Sequence, residues 1–193
     1  MSLDCHKLYR NWKIYLHYPL YTSATATYGS TAYAAMFDFN TVEEFWMYYN
    51  CLPEPSAVFA NEDRPRVKLG GRAIEGFGIF QEGVDPEWEK TPGGGHWEIS
   101  GIRDPLMLDT VWEILCLTLV GETMCKAEHV TGIRVVDKSK AKKPLYRVEI
   151  WTDNQTETTK SEVMERITTA FADGGCACQD LPCTWKNHPA CTK

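Results

Sequence analysis

Two adjacent residues, Trp88 and Glu89, form the pattern in this chain best suited to chemistry. They lie in Gly83-Val84-Asp85-Pro86-Glu87-Trp88-Glu89-Lys90-Thr91-Pro92-Gly93-Gly94-Gly95-His96-Trp97-Glu98-Ile99. There Asp85-Pro86 opens a turn, and a glycine run precedes the strand-like Trp97-Glu98-Ile99. An indole face attracts a flat, electron-poor ring. An ionised carboxylate beside it only accepts hydrogen bonds, which suits paired N–H donors on that ring's edge. A guanine methylated at N7 offers both, a positive charge and adjacent N1 and N2 hydrogens. The dipeptide alone reads equally well as a core tryptophan beside a solvated turn residue, so its surroundings must decide.

Asp137 to Pro144 reads as a hairpin turn carrying Lys138, Lys140, Lys142 and Lys143, with Arg147 just inside the returning strand. Such a cluster can neutralise a polyphosphate attached to a stacked base, although lysines at hairpin tips also serve solubility. The small-residue loop Tyr21 to Ser30 holds a lone aromatic, Tyr28, placed to offer its ring to a ligand. Catalysis has less to draw on. Asp85, Glu89 and His96 are acid and base groups, but there is no Gly-x4-Gly-Lys-[Ser/Thr] loop and no nucleophile setting, so neither an enzyme nor a cofactor is expected. Cys176, Cys178, Cys183, His188 and Cys191 cluster near the C-terminus, but not at an attested zinc spacing, and no metal site is assigned.

The elements that must position these residues follow from periodicity. A chain of 193 residues, 44% hydrophobic and 24% charged, fits one globular domain. Leu8 to Tyr18, Tyr33 to Phe39, Val130 to Val136 and Tyr146 to Thr152 alternate as strands. A capping box at Thr41 and Glu44 opens a helix through Val42, Phe45, Trp46 and Tyr49, stopped by Pro53 and Pro55. Further helices run from Asp104-Pro105 to Gly121 and from Ser161 to Asp173. Residues 53 to 80, with Arg64, Arg66, Lys68 and Arg72, read as an extended basic loop. Val42 and Trp46, one helical turn apart, form an outward ridge for a partner helix. The net charge of −6 argues against coating nucleic acid through counterion release, yet leaves room for a small basic pocket. No apolar run reaches the length of a membrane span, and the N-terminus lacks the basic and apolar segments of a secretion signal. Reduced thiols in a cytoplasmic or nuclear protein are therefore expected.

Several separated pieces together resemble the translation initiation factor 4E family, the messenger RNA cap-binding proteins. They are Thr41-Val42-Glu43-Glu44-Phe45-Trp46, Gly83 to Glu89, Gly94-Gly95-His96-Trp97, Leu108-Asp109-Thr110-Val111-Trp112 with Gly121-Glu122, and Ile150-Trp151-Thr152. The resemblance runs from about His6 to Phe171. It implies a single α+β domain: a strongly curved antiparallel sheet, about three helices on its convex face, and a ligand slot on the concave face. The domain would span 1–175, with an inserted loop at about 54–76 and a cysteine-rich tail at 176–193. Carried over, Trp88 is one slice of an aromatic sandwich around 7-methylguanine, Glu89 accepts the N1 and N2 hydrogens, and Trp151 contacts the N7 methyl. Arg147, Lys138 and Lys140 fall where the family contacts the phosphates. His6, Val42, Trp46 and Leu117 match the face that docks a 4G-type scaffold or a 4E-binding regulator.

Departures accompany the match. Gly29 stands where the family has its second sandwiching tryptophan, which leaves Tyr28 as the substitute, with Tyr33 or Tyr21 behind it. His96 replaces a basic residue, so its phosphate contact would strengthen as pH falls. Glu113-Ile114 stands where Leu-Glu is usual and His6-Lys7-Leu8 where His-Pro-Leu is, implying a non-standard partner motif. Trp185 and the basic loop are candidates for contact with nucleotides beyond the cap. Non-catalytic cap binding that recruits a scaffold is thus expected, the alternative being an adapter or translational repressor with weak or lost cap binding.

Overall fold

The computed structural model describes residues 5–19, 32–124, 129–140, 143–176 and 181–189. In β1 (Lys7–His17) Trp12, Ile14 and Leu16 turn into the main core while Lys13, Tyr15 and His17 take the other side, the period-two pattern of a strand with two distinct faces. Antiparallel to it, β2 (Tyr33–Thr41) runs straight into α1 (Val42–Tyr49). The Thr41 hydroxyl caps that helix, accepting from Glu44 N–H at 3.1 Å. The Glu44 carboxylate reaches one residue further back than a capping box requires, accepting from Asn40 N–H at 2.9 Å.

Next come α2 (Pro55–Val58), a two-stranded ribbon of β3 (Lys68–Leu69) and β4 (Arg72–Ala73), and β5 (Gly76–Gln81). Residues 53 to 80 are therefore not the extended loop expected. β5 lies between β1 and the later strand Val130–Asp137, and Val58, Phe59 and Ile74 are buried. Its glycines, which read as loop, are packing glycines: a Cβ on Gly78 would lie 2.7 Å from the Phe80 ring. The basic residues are largely structural too. Arg66 pairs with Asp137 at 2.7 Å, Arg64 donates to the carbonyls of Ser56 and Ala57, and Arg72 lies 4.0 Å over the Tyr18 ring.

A short 3-10 turn at Trp88–Lys90 leads into β6 (Gly95–Ile102), followed by α3 (Pro105–Val120), β7 (Val130–Asp137), β8 (Tyr146–Thr152), α4 (Glu157–Asp173) and β9 (Cys183–Asn187). Asp104 caps α3 by accepting from Leu106 N–H at 3.0 Å. Thr156, not Ser161, caps α4, which starts correspondingly earlier than its apolar stripe suggests. The strands form one antiparallel sheet in the order β2-β1-β5-β7-β8-β6-β9. Helix residues Phe45, Leu108, Val111, Leu115, Val163 and Ile167 pack on its inner side against Ile14, Phe77, Ile133, Val148 and Ile150. This is the single α+β domain expected, with α2 as an additional short helix.

The described residues of the cysteine-rich segment, Cys176 and 181–189, pack with the rest of the domain. Cys176 sits in the core, and β9 is the edge strand beside β6. Cys176 is disulfide-bonded, its partner lying outside the described residues, which corrects the expectation of reduced thiols at this position. Cys5, Cys51, Cys116 and Cys183 are free. No helix among the described residues is long and apolar enough to cross a membrane.

Leu115 and Leu117 share α3 but differ in exposure, 1% against 40%. Leu115→Ala is expected to lower unfolding stability by about 2–5 kcal/mol, and Leu117→Ala by under about 0.5 kcal/mol, read from urea denaturation midpoints.

Candidate functional site

The helix-free side of β8 presents Arg147, Glu149 and Trp151 in alternation. Register fixes what surrounds them: Glu149 lies between Arg134 of β7 and Glu98 of β6, and Trp151 between Gly132 of β7 and His96 of β6. Glycine at 132 is required, since a Cβ there would lie 2.3 Å from the Phe80 ring that meets Trp151 edge-on at 5.2 Å.

Glu149 is fully buried, and three groups compensate its charge. Arg134 approaches at 2.7 Å, Trp151 Nε1 donates at 2.9 Å, and Arg147 Nη2 lies 2.7 Å away in an ion pair not aligned as a hydrogen bond. Burial alone would raise this carboxyl, but the two guanidiniums outweigh it and hold the group at about 2. Arg134 also donates to the Tyr33 hydroxyl at 3.0 Å. His17 stacks on the Tyr33 ring at 4.8 Å and is pushed down to about 3, mainly by burial and then by Arg134.

Trp151 is sealed on every side: by Phe80, by His96 at 5.6 Å and 19°, by His188 at 4.5 Å and by the Arg134 guanidinium at 5.1 Å. It is 0% exposed, so the contact expected with an N7 methyl is not open in this state. Trp88, by contrast, is 42% exposed and stacks on His96 at 6.1 Å and 12°. Three rings, Trp88, His96 and Trp151, thus form a roughly parallel column with the imidazole in the middle.

The turn bearing Trp88 is tied down from several sides. Lys90 pairs with Asp85 at 2.9 Å and Glu87 at 3.2 Å. Thr91 Oγ1 meets His188 Nδ1 at 2.7 Å, His188 Nε2 meets His96 Nδ1 at 3.0 Å, and His188 N–H donates to Gly94 O at 2.9 Å. Burial pushes His96 down to about 4 and lowers His188 as well, so the imidazoles link as neutral rings. The phosphate contact expected from a protonated His96 is therefore corrected: the ring is a buried spacer. Glu89 is exposed, with no side-chain partner among the described residues.

Among the cations, Arg147 donates to Glu98 at 3.0 Å besides its contact with Glu149, so it is already committed to carboxylates. Lys138 is half-buried, lowered first by burial and then by the charge of Arg147. Lys140 is exposed at the hairpin tip, bridged through its backbone to Lys143. His96, Glu98 and Glu149 bring ligating atoms within 4.8 Å of one another, but both carboxylates already face guanidiniums, a balanced network rather than a cation site. Tyr28, Tyr21 and Lys142 lie outside the described residues. Trp185 does not join the site. It sits on the helix side against Trp97 with Lys160 5.1 Å over its ring.

On the helix face His6 clips onto the first turn of α1, its Nδ1 2.7 Å from Glu43, and its carbonyl accepts from Val42 N–H at 2.9 Å. Trp46 is 40% exposed, braced edge-on by Phe45 and Tyr49, and Leu117 is exposed on α3. Ile114 packs against the Gly174 backbone instead of facing outward, while Glu113 is exposed. Arg134, Glu149 and Glu98 were not singled out from sequence, and His188 was noted only as part of the C-terminal cysteine cluster. The available signal was a lone charge inside each of two apolar strands that pair with one another.

A sheet with helices on one side and a tryptophan–glutamate turn on the other defines the class of 4E-type folds. The family model for eukaryotic initiation factor 4E matches residues 7–188, and the chain belongs to that family. Isoform 4E of Nicotiana tabacum is 32% identical over 130 residues, 66% of this chain and 58% of its own length, so this chain matches little more than half of that relative. Isoform 4E of Prunus domestica is 27% identical over 181 residues, 87% of this chain and 76% of its own. The structure of C. elegans eIF4E-3 with the 4E-binding protein Mextli and a cap analog aligns with a TM-score of 0.73 at 19% identity, covering 96% of this chain and 94% of that one. Ascaris suum eIF4E-3 with an m7G cap aligns at 0.68 and 21%, covering 96% and 92%. At such identities these structures establish the shared fold.

Several lowered groups shape the acid response, His17 and His188 among them, and His96 and Glu149 illustrate its two windows. His96 binds a proton in the unfolded chain from about 6.5 but in the folded one only near about 4, and Glu149 shifts likewise from 4.5 to about 2. Stability should therefore fall as pH drops, first through the histidine window and then through the carboxylate window. Urea midpoints at about pH 7 and about pH 5 should differ, and His96→Asn should make that slope shallower.

Proposed function

We propose that this protein binds the 7-methylguanosine cap of messenger RNA without catalysis and presents its helix face to a protein partner in translation initiation. The observation that carries the first part is the pairing of a half-exposed indole with an exposed carboxylate, one residue away, that has no side-chain partner among the described residues. Trp88 takes one face of the methylated base, and Glu89 accepts from its N1 and N2 hydrogens. Tyr28 supplies the opposite face, and Lys138, Lys140 and Arg147 meet the phosphates. Trp151 reaches the N7 methyl only once the His96 cover shifts. Family membership supports this reading, since the 4E family consists of non-catalytic cap-binding factors. Related nematode proteins have been seen with a cap analog and with an m7G cap.

A second reading, an adapter or repressor with weak cap affinity, draws support from specific contacts. Arg147 is held by two carboxylates, and Trp151 is walled in. Phosphates must displace Glu98 or Glu149 from Arg147 before that guanidinium can contribute fully.

Quenching of tryptophan fluorescence by 7-methyl-GTP but not by GTP is expected, with Trp88→Ala and Glu89→Ala each weakening it about tenfold or more. Equal response to both nucleotides would leave the adapter reading in place. For the partner face, calorimetry with an ordinary Tyr-x4-Leu-hydrophobic helix should give weak binding, because Glu113 is charged and Ile114 is turned inward. Trp46→Ala should abolish what remains, and tight wild-type binding would remove the case for a non-standard motif.

A further inference from the structure

The ribbon of β3 and β4 lies within the stretch of about 54–76 expected as an insertion, and one buried acid fastens it beside the lysine-rich hairpin. The Asp137 carboxylate is 0% exposed and accepts from Ala60 N–H at 2.9 Å, Arg66 Nε at 2.7 Å and Ser139 N–H at 2.7 Å. Val67 N–H donates to Val58 O at 2.9 Å, Ile74 N–H donates to Val67 O at 2.9 Å, and Arg72 covers the Tyr18 ring, so the ribbon is held at its base. Its tip is bare. Gly70 and Gly71 take φ of 57° and 81°, as a tight two-residue hairpin turn requires, and a Cβ on either would meet nothing within 4 Å. Val67, Lys68 and Leu69 are exposed just before that turn.

Between ribbon and hairpin runs an open groove of about 480 Å³, lined by Asn61, Arg64, Lys68, Ala73 and Ser139 among others. Two of the nearby cations are committed: Arg66 pairs with Asp137 and Glu75, and Arg64 donates to the carbonyls of Ser56 and Ala57. Three others differ. The Lys68 ammonium has no partner among the described residues, and Lys140 and Lys143 meet each other only through their backbones. Glu62 and Asp63 line the same groove from the turn that Asn61 closes by accepting from Asp63 N–H and Arg64 N–H.

Separated ammonium groups on a rigid, side-chain-poor ribbon suit a flexible polyanion with repeating charges. We propose that the ribbon and the hairpin together hold the sugar–phosphate backbone of the RNA nucleotides that follow the cap, with Lys143 and Lys68 facing phosphates and Gly70-Gly71 letting the backbone approach closely. Direction favours RNA over an acidic peptide. Trp151, Glu149 and Arg147 alternate along the open side of β8 toward the hairpin, so a chain whose first phosphates lie at Arg147 and Lys138 leaves over the hairpin tip and meets the ribbon next. Glu62 and Asp63 repel phosphates and keep that chain on the Lys68 side of the groove. Lysines contacting a backbone read no base edges, so the contact is independent of sequence. The proposal rests on the cap reading for the point from which the RNA departs.

The test uses the full chain and compares 7-methyl-GTP with a capped oligouridine of about ten nucleotides, by fluorescence anisotropy and competition at about 50 and about 200 mM salt. The capped oligonucleotide is expected to bind about fivefold or more tightly than 7-methyl-GTP at the lower salt, with a steeper salt dependence. Lys68→Ala should weaken the oligonucleotide about threefold and reduce its salt slope by about 0.7, while Lys68→Arg keeps both. Neither variant should alter 7-methyl-GTP binding, and capped oligocytidine should match oligouridine. An oligonucleotide no tighter than 7-methyl-GTP overturns the proposal. So does an advantage that Lys68→Ala leaves intact, which would leave the ribbon to an acidic protein segment. If 7-methyl-GTP itself fails to bind, the cap reading falls and uncapped oligouridine decides this one: salt-sensitive binding that needs Lys68 keeps the ribbon as an RNA contact, and no binding overturns it.

Discussion

The open face depends on one buried carboxylate. Glu149 sits in the middle of a central strand with no access to water, where an unpaired charge would cost several kcal/mol. Arg134, one strand over, offsets it, and the Trp151 indole donates to it as well. That donation fixes the rotation of Trp151, whose ring plane in turn sets that of His96, and His96 is the surface on which Trp88 rests. The exposed Trp88 thus inherits its orientation from a charge pair buried beneath it, as packing and hydrogen bonds from below orient a surface residue.

Such compensation has a cost at the rim. Arg147 serves the same network, bridging toward Glu98 and Glu149, so its positive charge is already largely offset. Lys138 and Lys140 differ. Neither has a carboxylate partner among the described residues, and half-burial of Lys138 strengthens its interaction with an anion while making its own charge harder to keep. Of these three cations, the positive charge not offset by carboxylates therefore lies at the hairpin rather than in the sheet, where salt screens it most.

Strand alternation and helix caps made most of the fold legible in the sequence. Thr41 and Asp104 start their helices where capping chemistry places them, and Val130–Asp137 pairs with Tyr146–Thr152 as the alternating pattern implies. β5 was hidden because Gly76 and Gly78 signal a loop locally, while their actual role, clearance for Phe80 and the neighbouring strand, exists only after the sheet forms. The site was legible where it is local, at Trp88 and Glu89, and opaque where it is cooperative. A lone Arg134 and a lone Glu149 become meaningful only when register brings them face to face, and His188 only when β9 docks on β6. Burial also reversed the expectation for His96, because a residue's charge state follows its surroundings rather than its type.

The edge strand explains why the short turn after Trp88 can be so rich in glycine without being loose. Gly94 and Gly95 leave room for the Thr152 carbonyl, the Trp185 ring and the Lys186 carbonyl, so β9 approaches closer than any side chain would permit. That approach delivers His188 to Thr91 and Gly94, replacing the entropy lost through glycine with specific hydrogen bonds. β9 carries Trp185 to the helix side and His188, just beyond its end, reaches the open side, so one short segment packs beside Trp97 and anchors the turn that holds Trp88. The described residues 181–189 are, on this geometry, a structural support of the turn that carries Trp88.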